Sequence, residues 1–349
     1  MRGFSLYFGM FRKSLPVLAI ILALGGILYL FLSSGTGFEG STGKDIFIPT
    51  NVRSGAEVLD SVRSQVQVKH EWLLKGLMKL SGYEKRMKPG RYRIRKGMSL
   101  FSIFRKLYTG RTDALDLVLN KFRTKEQLAG YLGRKLEPDS IAFMQYLSAI
   151  DSVQTLGLDT HSILTIVIPD TYSVDWNISV PRFMRRMAVE RDRFWTTERK
   201  AKADKLDLTP EQVYVLASII EEETNQQDEK PIISSVYLNR MKRNMTLGAD
   251  PTVKYALRDF TIKRITFNHI RKSSASPYNT YTHKGLPPGP ICTPSRKTLE
   301  AVLSTPETNY LFFCARPDFS GYHAFASTEK EHFRNARAFH KALDSLSIK

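Results

Sequence analysis

The sequence predicts an α+β fold carried behind an N-terminal membrane helix. Three observations predict it. Leu15 to Leu32 is an uncharged run of eighteen residues, about long enough to cross a roughly 30 Å hydrocarbon layer as a helix. Two short segments, Asp45 to Pro49 and Arg91 to Arg95, have the composition of strands. In several longer stretches apolar residues recur at helical spacing.

The membrane helix sets the compartment. Arg2, Arg12 and Lys13 precede the apolar run, and no acid occurs before Glu39. Positive flanks stay in the cytoplasm. Residues 1–13 are therefore expected to be a cytoplasmic tail, 14–33 a single transmembrane helix of the inner membrane, and the rest extracytoplasmic. The alternative is a cleaved signal peptide, with Ser33, Ser34 and Gly35 near the cut. Both readings export the chain. With 52 Lys and Arg against 34 Asp and Glu, the net charge of +18 calls for an anionic partner. Export excludes nucleic acid from that role and leaves a wall polymer or the membrane surface. The two cysteines, Cys292 and Cys314, make either one bridge or two free thiols.

The 349 residues suffice for two modest domains with appendages. Residues 34–44, rich in Gly, Ser and Thr, read as a linker. A first unit is expected over 45–118. It starts with the strand at Asp45. A helix follows Ser54 with Val58, Leu59 and Val62 inward, and another covers Glu71 to Leu80. Pro89-Gly90 turns into the strand carrying Tyr92 and Ile94. Ser99 caps a helix whose Leu100, Ile103, Phe104 and Leu107 share one face. The stretch Gly97 to Leu107 resembles the opening of a LysM carbohydrate-binding module. An ordinary capped amphipathic helix reads the same way. The larger unit, 119–349, is expected to begin with helices at Lys125 to Leu136 and Asp139 to Ile150. Pro169-Asp170-Thr171-Tyr172 breaks the pattern, and Val180 to Trp195 resumes it as a basic amphipathic helix.

The chemistry should lie in Thr209 to Asn225. Thr209 and Gln212 have capping-box spacing, and Pro210 takes the first helical position. At about 100° per residue, Leu216 and Ile220 mark the centre of a broad apolar arc. Glu223 falls within that arc, Glu222 at its edge and Glu221 well outside it. A carboxyl in apolar surroundings resists ionisation, and the negative end of the helix adds to the effect. Kept protonated near neutral pH, it can donate to a leaving oxygen. The alternative is a merely solvated, acidic helix end. Downstream come a helix with Ile232, Ile233, Val236, Tyr237 and Met241 on its apolar side and carrying Asn239-Arg240, then Asp250-Pro251-Thr252 and Tyr278-Asn279-Thr280-Tyr281. A loop stiffened by Pro and Gly follows at Gly285 to Ile291. Tyr rings and Asn amides are suited to sugars. Asp250 before Pro also reads simply as a turn.

These segments resemble the YceG-like endolytic murein transglycosylases. The likeness runs from about Asp45 to Lys349. It rests on Ala217 to Thr224, Ser235 to Arg240, Asp250-Pro251-Thr252, Tyr278 to Tyr281, Gly285 to Gly289, Gly321 to Phe325, and Pro169 to Tyr172. Each is weak alone, and together, in order, they are specific. The resemblance implies that Glu223 is the catalytic acid and base and that Glu229 matches a second family acid. It further implies substrate-binding or supporting roles for Asn239, Arg240, Asp250, Thr252, Tyr278, Asn279, Tyr281 and His323. One departure is Gly248, where the family usually carries Gln.

The implied reaction cleaves the β-1,4 bond between N-acetylmuramic acid and N-acetylglucosamine within a strand and leaves a 1,6-anhydro end. The implied partners are peptidoglycan strands, the cytoplasmic membrane and peptidoglycan synthases. No cofactor is expected. No metal is expected either, since metal-ligand spacings are absent from the sequence. The alternatives are a hydrolysing muramidase, which needs a second carboxylate, and a non-catalytic peptidoglycan-binding scaffold.

Overall fold

The structure, a computed structural model, describes residues 4–33, 35–36 and 43–345, with side chains from 16 on. Most of the expected linker, 34–44, lies outside the described residues. The first helix, α1, spans Phe4–Leu32 and contains Pro16. Its described apolar side chains are largely exposed, Leu22 and Leu28 among them. Among the described residues no helix is long and apolar enough to cross a membrane. The expected span, 14–33, extends beyond the described side chains at its N-terminal side.

The chain divides into two compact units, Met1–Asp116 with Ser173–Ile178, and Leu117–Tyr172 with Ser179–Lys349. In the first, β1 (Gly43–Ile48) pairs antiparallel with β2 (Gly90–Arg95), Gly43 opposite Arg95 and Ile48 opposite Gly90. Between them run α2 (Gly55–Gln65) and α3 (Glu71–Leu80). The α4 helix (Leu100–Thr109) follows β2. Alternation places Ile46 and Ile48 of β1 and Tyr92 and Ile94 of β2 inward, all buried. They meet Val58, Val62, Leu74, Leu100, Ile103 and Leu107 in one core. Ser54 and Ser99 cap α2 and α4 by accepting from the backbone N–H of Glu57 and Ser102. The last turn of α1 joins this core through Leu30 and Phe31. Just beyond it, Gly35 donates to the Met98 carbonyl at 2.8 Å. Only a glycine fits there, because a Cβ would stand 2.7 Å from the Leu100 nitrogen.

The boundary between the units falls within β3 (Leu115–Leu119) and β4 (Asp170–Val174). The second unit carries α5 (Lys125–Lys135), α6 (Ser140–Ser148) and α7 (Ile150–Gln154). The single helix expected over 139–150 thus divides, because Ala149 is extended (φ −80°, ψ 119°). Then come α8 (Val180–Phe194), α9 (Thr197–Asp204), α10 (Pro210–Glu223) and α11 (Lys230–Lys242). The short α12 (Asp250–Leu257) and α13 (Phe267–Lys272) precede α14 (Arg296–Leu303). A hairpin of β5 (Phe312–Ala315) and β6 (His323–Ala326) pairs Phe312 with Ala326 and Ala315 with His323. The α15 helix (Glu329–Ser345) ends the described chain.

The axis of this unit is α10. Both halves of the Thr209–Gln212 capping box form, with Pro210 in the first turn. Every residue from Val213 to Ile220 is buried, so the helix is enclosed all round rather than amphipathic. Burying Leu216, Ile219 and Ile220 contributes about 1.5–3 kcal/mol each. Ser218 is tolerated in this apolar setting because its hydroxyl donates to the Val215 carbonyl and accepts from the Ile291 N–H at 3.0 Å. That contact fixes the Pro/Gly loop against α10.

Candidate active site

The helix end brings three glutamates to one place and gives each a different fate. Glu221 turns into a buried polar cluster. Its Oε2 accepts from Lys230 Nζ at 2.9 Å and from the hydroxyls of Ser295 and Thr298. Lys230 is only 1% exposed and also meets Thr298. Glu222 receives Arg123 through two bonds, 3.0 and 2.9 Å, and Lys121 at 3.2 Å. These cations hold its carboxyl low against the opposing desolvation. Helical periodicity directs Glu223 alone inward, but in the fold all three carboxyls are largely enclosed. What distinguishes Glu223 is the lack of any cation within ion-pair distance among the described residues.

Instead, the Tyr237 hydroxyl of α11 donates to Glu223 Oε1 at 2.6 Å. Glu223 keeps a solvent-facing edge, yet protein packs densely around its carboxyl. Desolvation is the main cause that pushes its pKa up, to about 7, and the Asp250 charge adds to it. The Tyr237 bond, Arg240 and Lys254 pull the other way without cancelling the rise. The carboxyl can therefore hold or release a proton near neutral pH. Tyr237 is itself set edge-on against Phe313, which meets His323 edge-on in turn, with ring centroids 5.9 and 5.3 Å apart.

The remaining residues selected from sequence fall into two groups. Asp250, Arg240 and Tyr281 stand around Glu223. Tyr281 donates to Asp250 Oδ1 at 2.5 Å, and its charge environment includes Glu223 and Arg240. Arg240 spends its donors on the carbonyls of Leu311 and Leu247. The second group holds the framework. Asn239 donates to the Thr308 and Tyr310 carbonyls. Asn279, fully buried, donates to Ile270 and Ser273 and accepts from the Tyr281 N–H. Thr252 bonds Ala249 and Thr280. Glu229 accepts from both the backbone N–H and ring Nδ1 of His323, at 2.7 and 2.9 Å, anchoring β6 to α11. Tyr278 packs on Tyr255 with ring centroids 4.7 Å apart. Gly248 sits at φ +57°, where a Cβ would face Arg240 and Tyr281 at 3.6 Å. Cys292 and Cys314 are both free thiols.

Sequence reasoning placed Tyr237 only on the apolar side of its helix. The signal was available: a buried tyrosine hydroxyl needs a partner. Lys230, Lys121, Arg123 and Lys254 carried no comparable signal, since each is one of many basic residues in the chain.

Fold and site together define a protein with one unpaired, proton-exchanging carboxyl at the end of a buried helix, ringed by tyrosines, an arginine and a second carboxylate. Comparison with known proteins narrows this class. The chain belongs to the YceG-like family, whose model matches residues 48–338. It is 28% identical over 315 residues to the endolytic murein transglycosylase of Bacillus subtilis, covering 84% of each chain. It is 24% identical over 296 residues to the endolytic murein transglycosylase of Streptococcus pneumoniae, covering 77% of this chain and 53% of that one. A crystal structure of a yceG-like protein from Listeria monocytogenes superposes with a TM-score of 0.56 over 84% of this chain, at 22% identity. That likeness is one of fold.

Proposed function

We propose that this chain is an endolytic murein transglycosylase in which Glu223 alone serves as acid and then base. The observation that carries the reading is the Glu223 carboxyl itself, cation-free, bonded by Tyr237 and held near pKa 7. In the first step Glu223 gives its proton to the glycosidic oxygen, and the bond from the muramoyl anomeric carbon to that oxygen breaks. In the second, the carboxylate takes the proton of the muramoyl 6-hydroxyl, whose oxygen bonds to the anomeric carbon. Glu223 ends protonated, as it began, and no water enters. The relatives' activity and the position of Glu223 in the matched span support this reading. Tyr281, Asp250 and Arg240 would bound the sugar-binding ground.

A hydrolysing muramidase is the alternative that one observation favours, because Asp250 is a second carboxylate whose charge reaches Glu223. We further read α1 as a membrane anchor with both units outside the cytoplasm, near strands made by wall synthases. The first unit we read as LysM-like, supported by the capped start of α4.

Mass spectrometry of fragments released from purified murein tests the reaction, wild type beside Glu223→Gln. Internal 1,6-anhydro ends from wild type alone are expected. Reducing ends would make the protein a muramidase. Binding without cleavage by either would make it a scaffold.

A further inference from the structure

Far from the chemistry in sequence, the first unit holds a cavity of about 410 Å³ lined by Arg93, Arg95, Arg105, Lys106 and Arg111, with Met98, Ser102 and Thr109 completing the wall. No carboxylate lines it. Lys106 is paired with Asp113 at 2.7 Å. The same Asp113 carboxylate accepts from the Arg93 backbone N–H at 2.7 Å, but among the described residues none of the four guanidinium groups forms an ion pair, and all four arginines are exposed. One carboxylate, Asp113, stands against five cations, and like charges left in excess repel one another, so such a cluster is stabilised by a further anion.

The lining decides the kind of anion. Guanidinium and ammonium groups only donate hydrogen bonds, which leaves the Ser102 and Thr109 hydroxyls as the side-chain oxygen acceptors of the wall. A neutral sugar presents hydroxyls that also need acceptors, and it favours an aromatic platform; no aromatic ring lines this cavity. A phosphate offers acceptors alone and matches the planar arginine fork.

The position decides its source. The helix that lines the cavity with Ser102, Arg105 and Lys106 is α4, and its other face receives the end of α1. Leu30 and Phe31 pack into the core that Leu100 and Ile103 of α4 help build. Met98, in the cavity wall, accepts from the N–H of Gly35, three residues past the end of α1. The cavity therefore lies within about one helix diameter, roughly 10–12 Å, of the point where the apolar helix ends. Phe101, one helical turn before Arg105 on α4 though not in the cavity wall, is exposed at 45%, in the manner of aromatic residues at a membrane interface.

We propose that this cavity binds the phosphate of an anionic phospholipid headgroup, seating the first unit on the outer surface of the membrane that α1 enters. The inference rests on α1 being an anchor. Held in this way, the unit would fix the height of the chain above the bilayer by two attachments rather than one.

The test uses the full chain in mild detergent, offered phosphatidylglycerol or phosphatidylcholine with the same acyl chains and read by native mass spectrometry. Wild type should retain the anionic lipid about tenfold or more over the zwitterionic one. Arg93→Gln with Arg95→Gln and Arg105→Gln should lower that retention by about tenfold, to near the level of the zwitterionic lipid, each charge being worth up to a factor of about five. The same three positions changed to Lys should keep most of it, which separates charge from folding. Murein cleavage by all variants should be unchanged. Equal retention of both lipids by wild type would overturn the proposal. So would a Gln variant that loses binding to purified murein while its lipid preference stays. A chain that stays dispersed in water without detergent would remove the anchor, and the proposal with it. A chain that needs detergent but shows no preference would leave the anchor and remove the lipid site.

Discussion

Removing one hydroxyl should move the pH dependence of the enzyme in a direction the structure fixes. Burial raises the Glu223 pKa, and Tyr237, donating to Glu223 at 2.6 Å and so favouring the carboxylate, lowers it, the balance standing at about 7. A hydrogen bond to a charged group is worth about 1.5–3 kcal/mol. At about 1.36 kcal/mol per pKa unit, its loss in Tyr237→Phe raises the Glu223 pKa by roughly one to two units. The first step needs the protonated acid, so kcat/KM falls above that pKa. The alkaline limb of the profile should shift from about pH 7 to about pH 8–9. The maximal rate should drop roughly tenfold, because the carboxylate that must act as base loses its support. The assay is release of murein fragments from about pH 5 to about pH 10. A limb that stays in place, or moves to lower pH, would refute the assignment of Tyr237 and of the titrating group together.

Three further outcomes follow from the same geometry. The folded pKa of Glu223, about 7, lies above its ordinary 4.5, so the folded state keeps a proton that the unfolded chain releases. Stability is lost as pH rises through that window, by up to roughly 3 kcal/mol. Glu223→Gln should therefore melt higher than wild type at about pH 8 and nearly level with it at about pH 4. Lys230→Met leaves Glu221 charged and enclosed, and denaturant titration should show a loss of about 3–5 kcal/mol. Glu229→Ala strands the backbone N–H and the ring of His323 and should cost roughly 2–4 kcal/mol in the same titration.

Local order was legible where local chemistry sets it. The Thr209–Gln212 capping box, the Ser54 and Ser99 caps and the alternation around Tyr92 all lie within a few residues of what they determine. The wheel picked Glu223 because the inward side of a helix follows from its period. It misjudged Glu221 and Glu222 because their partners are distant in sequence. Lys230 is nine residues from Glu221 and Arg123 ninety-nine from Glu222, and pairing of that kind is settled by tertiary packing. The amides and hydroxyl of Asn239, Asn279 and Thr252 suit sugar as well as protein. Only the fold shows them turned to carbonyls and hydroxyls of the chain itself. The split of α6 from α7 turns on the backbone at Ala149, which no side-chain pattern announced.

The central claim is that one carboxylate suffices because the substrate supplies its own nucleophile. Digestion of murein in water enriched in heavy oxygen tests this directly. The account predicts that the new muramoyl ends released by the wild-type protein carry no label, since the 6-hydroxyl oxygen closes the ring. Label at the anomeric position would contradict it, showing that water attacks and that a second carboxylate shares the work with Glu223.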